Sequence, residues 1–362
     1  MYRKPGAAVH TAPPRLANEA TRQHPPALGP RDDPNLDATQ ARPLVSALMY
    51  VALRIEVRTL TGALRGVPAL LRLLDEYGIQ ATFLFALGPD RSAWTRWPLG
   101  HETLAERRRT AVLRPPHTPG LLLGLVPPAP LIGPRALEAM RSCRAAGHEL
   151  GCLAHDPVAW ERRAAHADPE WTRIELERAL SAFDSLLGER PALFAAPSWQ
   201  VNPHLFAEES RLGLGYVSDT RGRLPFLPLL QGVHGTCPQV PTTLPTLPEL
   251  IGRDGVRVDN IHQFVFAESQ YVAPQGHVFS AAAEIEGLRM LPVLERLLTM
   301  WRGSWGRVGP LAEIARGLER ARLSTHQVGW TRVPGRGGYL AGQGSRSPSD
   351  PGCRRAAAGR VG

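Results

Sequence analysis

The sequence predicts an α/β barrel, on three observations. Short apolar runs bounded by turn residues recur along the 362 residues, as in parallel strands covered on both faces. Each run tends to be followed by an amphipathic helical pattern that closes on glycine. The alternation also continues far longer than an open doubly wound sheet needs, which favours a barrel.

The first strand pattern occupies residues 50–57, directly after Met49, itself a candidate start of the functional chain. Pro68 stands where a first helical turn tolerates it, and Leu70, Leu71, Leu73, Leu74 and Tyr77 form a stripe that Gly78 ends. Residues 81–86 are almost wholly apolar and complete a β-α-β unit with a right-handed crossover. Further helices are predicted at 134–145, 169–187, 203–212, 288–301 and 310–321, and strands at 149–154, 192–196, 216–218 and 277–283. Residues 258–267 are one more apolar segment.

Three stretches stand outside the alternation. Residues 1–46, rich in Pro, Ala and Arg, read as a disordered extension, and the Ser, Arg, Gly and Pro-rich tail 345–362 reads the same way. The domain is therefore expected at 47–344. Within it, residues 91–133 carry Trp94, Trp97, the run Arg107, Arg108, Arg109 and the apolar run 121–126. That mixture suits an insertion packed on the barrel, or an interfacial segment that handles a lipid tail.

A formal net charge of +9 invites a nucleic-acid reading, but Lys4 is the only lysine among 42 basic residues and the arginines are scattered. No aromatics interleave the densest arginine run, so base stacking has no platform and no nucleic-acid partner is expected. A basic surface still favours anionic lipid headgroups and polyprenyl phosphates. The four cysteines show no metal spacing, and no stretch reaches 18 apolar residues. Without an apolar leader pattern, the cytoplasm is the expected compartment, peripheral to the inner membrane.

Residues 53–59, 65–68 and 77–83 resemble the opening of the bacterial 4-deoxy-4-formamido-L-arabinose-phosphoundecaprenol deformylases, of the polysaccharide deacetylase (NodB-homology) superfamily. The resemblance continues in order through 147–151, Ala159-Trp160, 218–222, 244–247, 283–287 and 340–344. It implies a distorted (β/α) barrel that hydrolyses a linear amide, removing a formyl group from a polyprenyl-phosphate-linked amino sugar in lipid A modification and polymyxin resistance. In that chemistry a divalent cation polarises carbonyl and water, a carboxylate takes a proton and a histidine gives one back.

The same resemblance assigns site positions. Glu56 stands at the general-base position, Arg58 at the first metal ligand, Leu153 and Pro157 at the two histidine ligands, and Ala282 at the histidine acid. Arg54, Asp219, Arg221 and Gln200 stand at substrate-binding positions, Gln200 where the family carries an arginine. Arginine has no lone pair to give a metal, and leucine and proline have no donor atom. No cofactor is therefore expected, and the chain reads as a non-catalytic homologue that binds the lipid-linked sugar or pairs with an active homologue. The alternative is an active metal-dependent deformylase or deacetylase using a displaced site of Glu56, His155 and Asp156. A two-residue shift moves a strand side chain by about 6.5 Å, which counts against it. His155 and Asp156 read more simply as loop and capping groups, and His148 as scaffold. Arg58 either offers a fixed positive charge to an anion or forms a salt bridge with Glu56 or a neighbour.

Overall fold

In the computed structural model, β1 (Tyr50–Val57) is buried from its second residue to its last. The structure describes residues 49–91, 103–113, 129–304 and 306–348. A strand covered on every side needs partners on both edges. β2 (Thr82–Phe85), β3 (Glu149–Leu153) and β4 (Phe194–Ala195) extend the sheet from one edge, and β7 (His277–Ala282) from the other, all parallel. Short β8 (Arg307–Gly309) pairs with Tyr50, Val51 and Ala52. Since Val51 and Ala52 also pair with β7, β8 takes the edge that β2 occupies further along.

The sheet curls and closes through single bridges rather than long ladders. Phe194 of β4 bridges Val217, Val217 bridges Gln239, and the amides of Thr243 and Leu244 both donate to Val278 O on β7, at 3.2 and 3.1 Å. The ring is thus a distorted barrel with two irregular staves. The predicted strand at 216–218 lies in one of them.

The helices follow from local signals. α1 (Val67–Glu76) is entered through a π-helical turn, Gly62–Gly66, and buries Leu70, Leu73 and Leu74. α5 (Pro169–Leu187) is capped by Asp168, which accepts from Trp171 N at 2.8 Å, and ends at Gly188 with φ +73. The remaining helices are α2 (Leu104–Thr110), α3 (Ile132–Ala145), α4 (Pro157–Arg163), α6 (Pro203–Leu212), α7 (Leu247–Leu250), α8 (Ile261–Ser269), α9 (Leu291–Gly303) and α10 (Leu311–Arg316).

A second sheet was not anticipated. β5 (Leu227–Leu230), β6 (Val233–His234), β9 (Thr325–Thr331) and β10 (Leu340–Arg346) pair in the order β10-β9-β5-β6. Its sequence signal is weak: β5 contains Pro228, β9 is mostly exposed, and β10 is Gly-rich. This sheet corrects one boundary. Residues 345–347, expected to open a disordered tail, are instead ordered by pairing: β10 runs to Arg346, and buried Ser347 donates its N–H to Thr325 O at 2.7 Å. Backbone pairing overrides the disorder-like composition there.

The extension 1–46, the tail beyond 348, and residues 92–102 and 114–128 of the insertion expected at 91–133 lie outside the described residues. The insertion's described residues include α2, opened by a capping box between Thr103 and Glu106.

Candidate functional site

The C-terminal ends of barrel strands carry the family's site positions, and here they meet. Glu56 pairs in register with Ala282 on β7 and with Leu84 on β2, which pairs in turn with Gly151 on β3. Two strand spacings and two residues of rise put the Leu153 Cα about 12 Å from that of Glu56.

Residues 54, 56 and 58 alternate onto one face of the chain. Arg54 is fully buried. Its Nη1 donates to Glu56 Oε1 at 2.6 Å and to Ser280 Oγ at 2.7 Å, and its Nη2 to Ser218 O at 3.4 Å. Arg58 reaches across to α4: Nη2 donates to Glu161 Oε1, and Nη1 lies 3.9 Å from Glu56 Oε2. Ser198 Oγ donates to the same Glu161 oxygen. Glu161 is one helical turn beyond Pro157 and shares its face. The Arg58 guanidinium therefore fills the space between the base position and the helix face that bears the second ligand position.

The electrostatics agree with that placement. Burial opposes the Arg58 charge, but Glu161 and Glu56 outweigh it and raise its pKa further. Burial would raise Glu161, yet the Arg58 charge and hydrogen bonds from Ser198 and Arg58 bring it below the usual glutamate value. Each group thus holds the other ionised.

The other predicted residues are committed elsewhere. Asp156 Oδ1 caps α4, accepting from Val158 N and Ala159 N, while Oδ2 accepts from Arg91 Nε at 2.6 Å. His155 packs against Gly88, its carbonyl accepting that residue's N–H, and burial lowers its pKa. The displaced triad of Glu56, His155 and Asp156 is not assembled as a ligand cluster among the described residues, and the Asp156 carboxylate is committed to the α4 cap and to Arg91. His148 Nδ1 accepts from Ala81 N at 3.0 Å, and burial pushes its pKa down to about 4, so it serves as a neutral scaffold acceptor. Asp219 is fully buried, accepting from Ala196 N and Gln239 Nε2, and burial pushes its pKa up to about 6. Gln200 donates to Tyr339 O, and Arg221 to Glu249 Oε1 and Leu244 O.

Comparisons with known proteins fit this geometry. The chain is 28% identical over 304 residues to the 4-deoxy-4-formamido-L-arabinose-phosphoundecaprenol deformylase ArnD of Shewanella sediminis, covering 82% of this chain and 95% of that one. With the ArnD of Wigglesworthia glossinidia brevipalpis it shares 25% identity, over 78% and 98% of the two chains. The chain is thus similar to these deformylases over most of its length and of theirs. Among solved structures, a polysaccharide deacetylase from Mycobacterium smegmatis matches with TM-score 0.52 and 16% identity, covering 76% of this chain and 92% of that one. One from Pseudomonas aeruginosa matches with TM-score 0.50 and 15% identity, over 74% and 89%. Both show the fold. No family model matches the chain.

The resemblance to metal-dependent deformylases implies a divalent metal, and the residues present do not fit one. Leu153 is buried in the core and Pro157 is the first residue of α4. Arg58 brings a cation where an acceptor is needed. Among the described residues no group of three His, Cys, Asp or Glu side chains is placed to hold a metal ion. At the acid position, Ala282 has no side-chain proton to give, and its backbone N–H donates to Glu286 Oε2 at 2.7 Å. Burial pushes Glu286 up to about 8, with Glu284 and Glu56 adding repulsion. Sequence reasoning missed Glu161, Ser198 and Glu286. Helical spacing from Pro157 would have placed Glu161 on the right face, but nothing local says that Arg58 reaches it.

Proposed function

We propose that the chain is a non-catalytic member of the deformylase group that binds a polyprenyl-phosphate-linked amino sugar without a metal, as a peripheral protein on the cytoplasmic side of the membrane. The observation that carries this reading is the Arg58 guanidinium set between Glu56 and Glu161, an internal cation neutralised by two carboxylates. A dication entering that space meets a fixed positive charge and finds leucine and proline beside it. The deformylase relatives support the substrate class through the name they carry. No described helix is long and apolar enough to cross a membrane, so contact with the lipid-linked sugar falls to the surface.

The test is metal analysis of purified protein beside deformylation of the lipid-linked formamido sugar. No stoichiometric metal and no turnover are expected. Arg58→Asp, Leu153→His and Pro157→His together should return metal binding, and any one alone should not. Ala282→His should be needed as well for turnover, because the leaving amine requires a proton. Chelator-sensitive hydrolysis by the unmodified protein would overturn the reading.

A further inference from the structure

Four guanidinium groups gather where the 3-10 turn Pro197–Trp199 crosses the barrel mouth, and three have carboxylate partners. Arg54 pairs with Glu56, Arg58 with Glu161, and Arg221 with Glu249 at 2.7 Å. Three of the four also approach the indole of Trp199, with Arg221 at 5.0 Å and Arg54 at 6.0 Å from the ring centroid. The fourth, Arg336, stacks at 4.9 Å. Among the described residues its guanidinium has no ion-pair or hydrogen-bond partner, and its backbone N–H donates to Val333 O. Of the four, Arg336 is the one whose guanidinium has no ion pair among the described residues. Its field already reaches Glu161, where it helps keep that carboxylate ionised.

The segment that presents Arg336 is held on several sides. Arg109 of α2 donates to Gly335 O, and Gly337 N donates to Glu106 Oε2 at 2.7 Å. Gly335 has φ +80, and a Cβ there would lie 1.9 Å from Glu249 O, so the loop is seated directly on α7. Gln200 Nε2 donates to Tyr339 O at 2.7 Å. Beneath it, Ser198 and Trp199 both hold φ +54, a backbone region that costs non-glycine residues energy and persists only when surroundings enforce it. A cation fixed in this way loses little conformational entropy when it takes a ligand.

We propose that Arg336, laid over Trp199 by the β9–β10 connection, is an oxyanion anchor at the barrel mouth that takes the phosphate of a phosphate ester. A guanidinium fork matches phosphate and carboxylate oxygens alike. The choice of phosphate rests on the reading of the chain as a binder of a polyprenyl-phosphate-linked sugar. A stack on Trp199 alone would need no ligand, and the two cases separate by binding.

The experiment is calorimetric titration of the full chain with inorganic phosphate, a short prenyl monophosphate and the matching prenyl alcohol. The prenyl monophosphate should bind and the alcohol should not. Arg336→Ala and Arg336→Gln should each weaken binding at least tenfold, Arg336→Lys should weaken it less, and Arg302→Ala on α9 should leave it unchanged. Binding of inorganic phosphate with the same dependence on Arg336 keeps the anchor and makes a free anion its source. If neither phosphate compound binds, or if both Arg336 variants bind like the parent, the anchor is refuted. Metal content and deformylase turnover, measured separately, bear on the proposed function and leave this outcome untouched.

Discussion

Arg58→Ala should destabilise the protein in a pH-dependent way. The substitution leaves Glu161 and Glu56 without the cation between them. Breaking a fully buried pair costs about 3–5 kcal/mol, whereas an exposed one is worth about 0–1 kcal/mol. The Arg58 and Glu161 side chains are 27% and 20% exposed, so water screens part of the interaction. A cost of about 2 kcal/mol at pH 7 is reasonable on that basis, or a fall in Tm of about 3 °C for a folded domain of this size. The sign follows from Glu161, whose folded pKa lies below its usual 4.5. Such a carboxylate contributes stability above its unfolded pKa and loses it as pH falls through the folded one. The penalty of Arg58→Ala should therefore be full at neutral pH and shrink below about pH 4. Urea titrations of parent and variant at pH 7 and pH 4 measure it, and Glu161→Gln in both backgrounds closes a double-mutant cycle. A cost below about 0.5 kcal/mol at pH 7, or two additive substitutions, would refute the pairing as the central contact.

The pH dependence of the parent should run the other way above pH 5. Glu286 and Asp219 have folded pKa values raised to about 8 and about 6, so their stabilising protonation is lost as pH rises through those values. Glu286→Gln should flatten the upper part of that decline, read as the difference in Tm between pH 6 and pH 9. Removing residues 1–46 and everything beyond 348 should leave Tm within a few degrees of the full chain. Stopping at 344 instead should lower it further, because Arg346 pairs with His326 and Ser347 with Thr325.

Much of the barrel was legible because its signals are local. The helix at 169–187 is bounded by an Asp-Pro start and a glycine stop, and β1 is a buried run that needs no partner to be recognised. The second sheet was not legible, because β9 and β10 gain their pairing from each other and from β5 rather than from any apolar alternation. The site divides in the same way. That Arg58, Leu153 and Pro157 stand at ligand positions follows from register within short motifs. That Arg58 closes onto Glu161 and Ser198, or that Arg336 arrives over Trp199 from the other end of the chain, depends on tertiary geometry. Arg54, Asp219 and Gln200, which were expected to bind substrate, are buried and hydrogen-bonded within the protein.

Two of the motifs that carry the resemblance, 65–68 and 283–287, bring backbones together, and Gly66→Ala tests how tightly. The segments after β1 and β7 lie side by side, because Glu56 pairs with Ala282. Gly66 meets Ala283 there: a Cβ on Gly66 would fall 2.1 Å from Ala283 O. Gly287 is equally tight, its Cβ position lying 2.5 Å from Ala283 O and 2.8 Å from Gly66 Cα. Gly66 has φ −69, which any residue adopts, so the constraint at this point is space and not conformation. The obstructing atom is a backbone carbonyl and cannot swing aside as a side chain would. Gly66→Ala should then cost near the upper end of the about 1–3 kcal/mol typical of overpacking. Gly78→Ala is the contrast, with open space around it and φ +62, so its cost is conformational and nearer about 1 kcal/mol. Both should behave alike with and without added divalent metal, because neither contact involves a ligand position. Denaturation of the two variants measures the difference. A Gly66→Ala protein as stable as the parent would mean that the two segments separate easily and that close packing does not constrain this position.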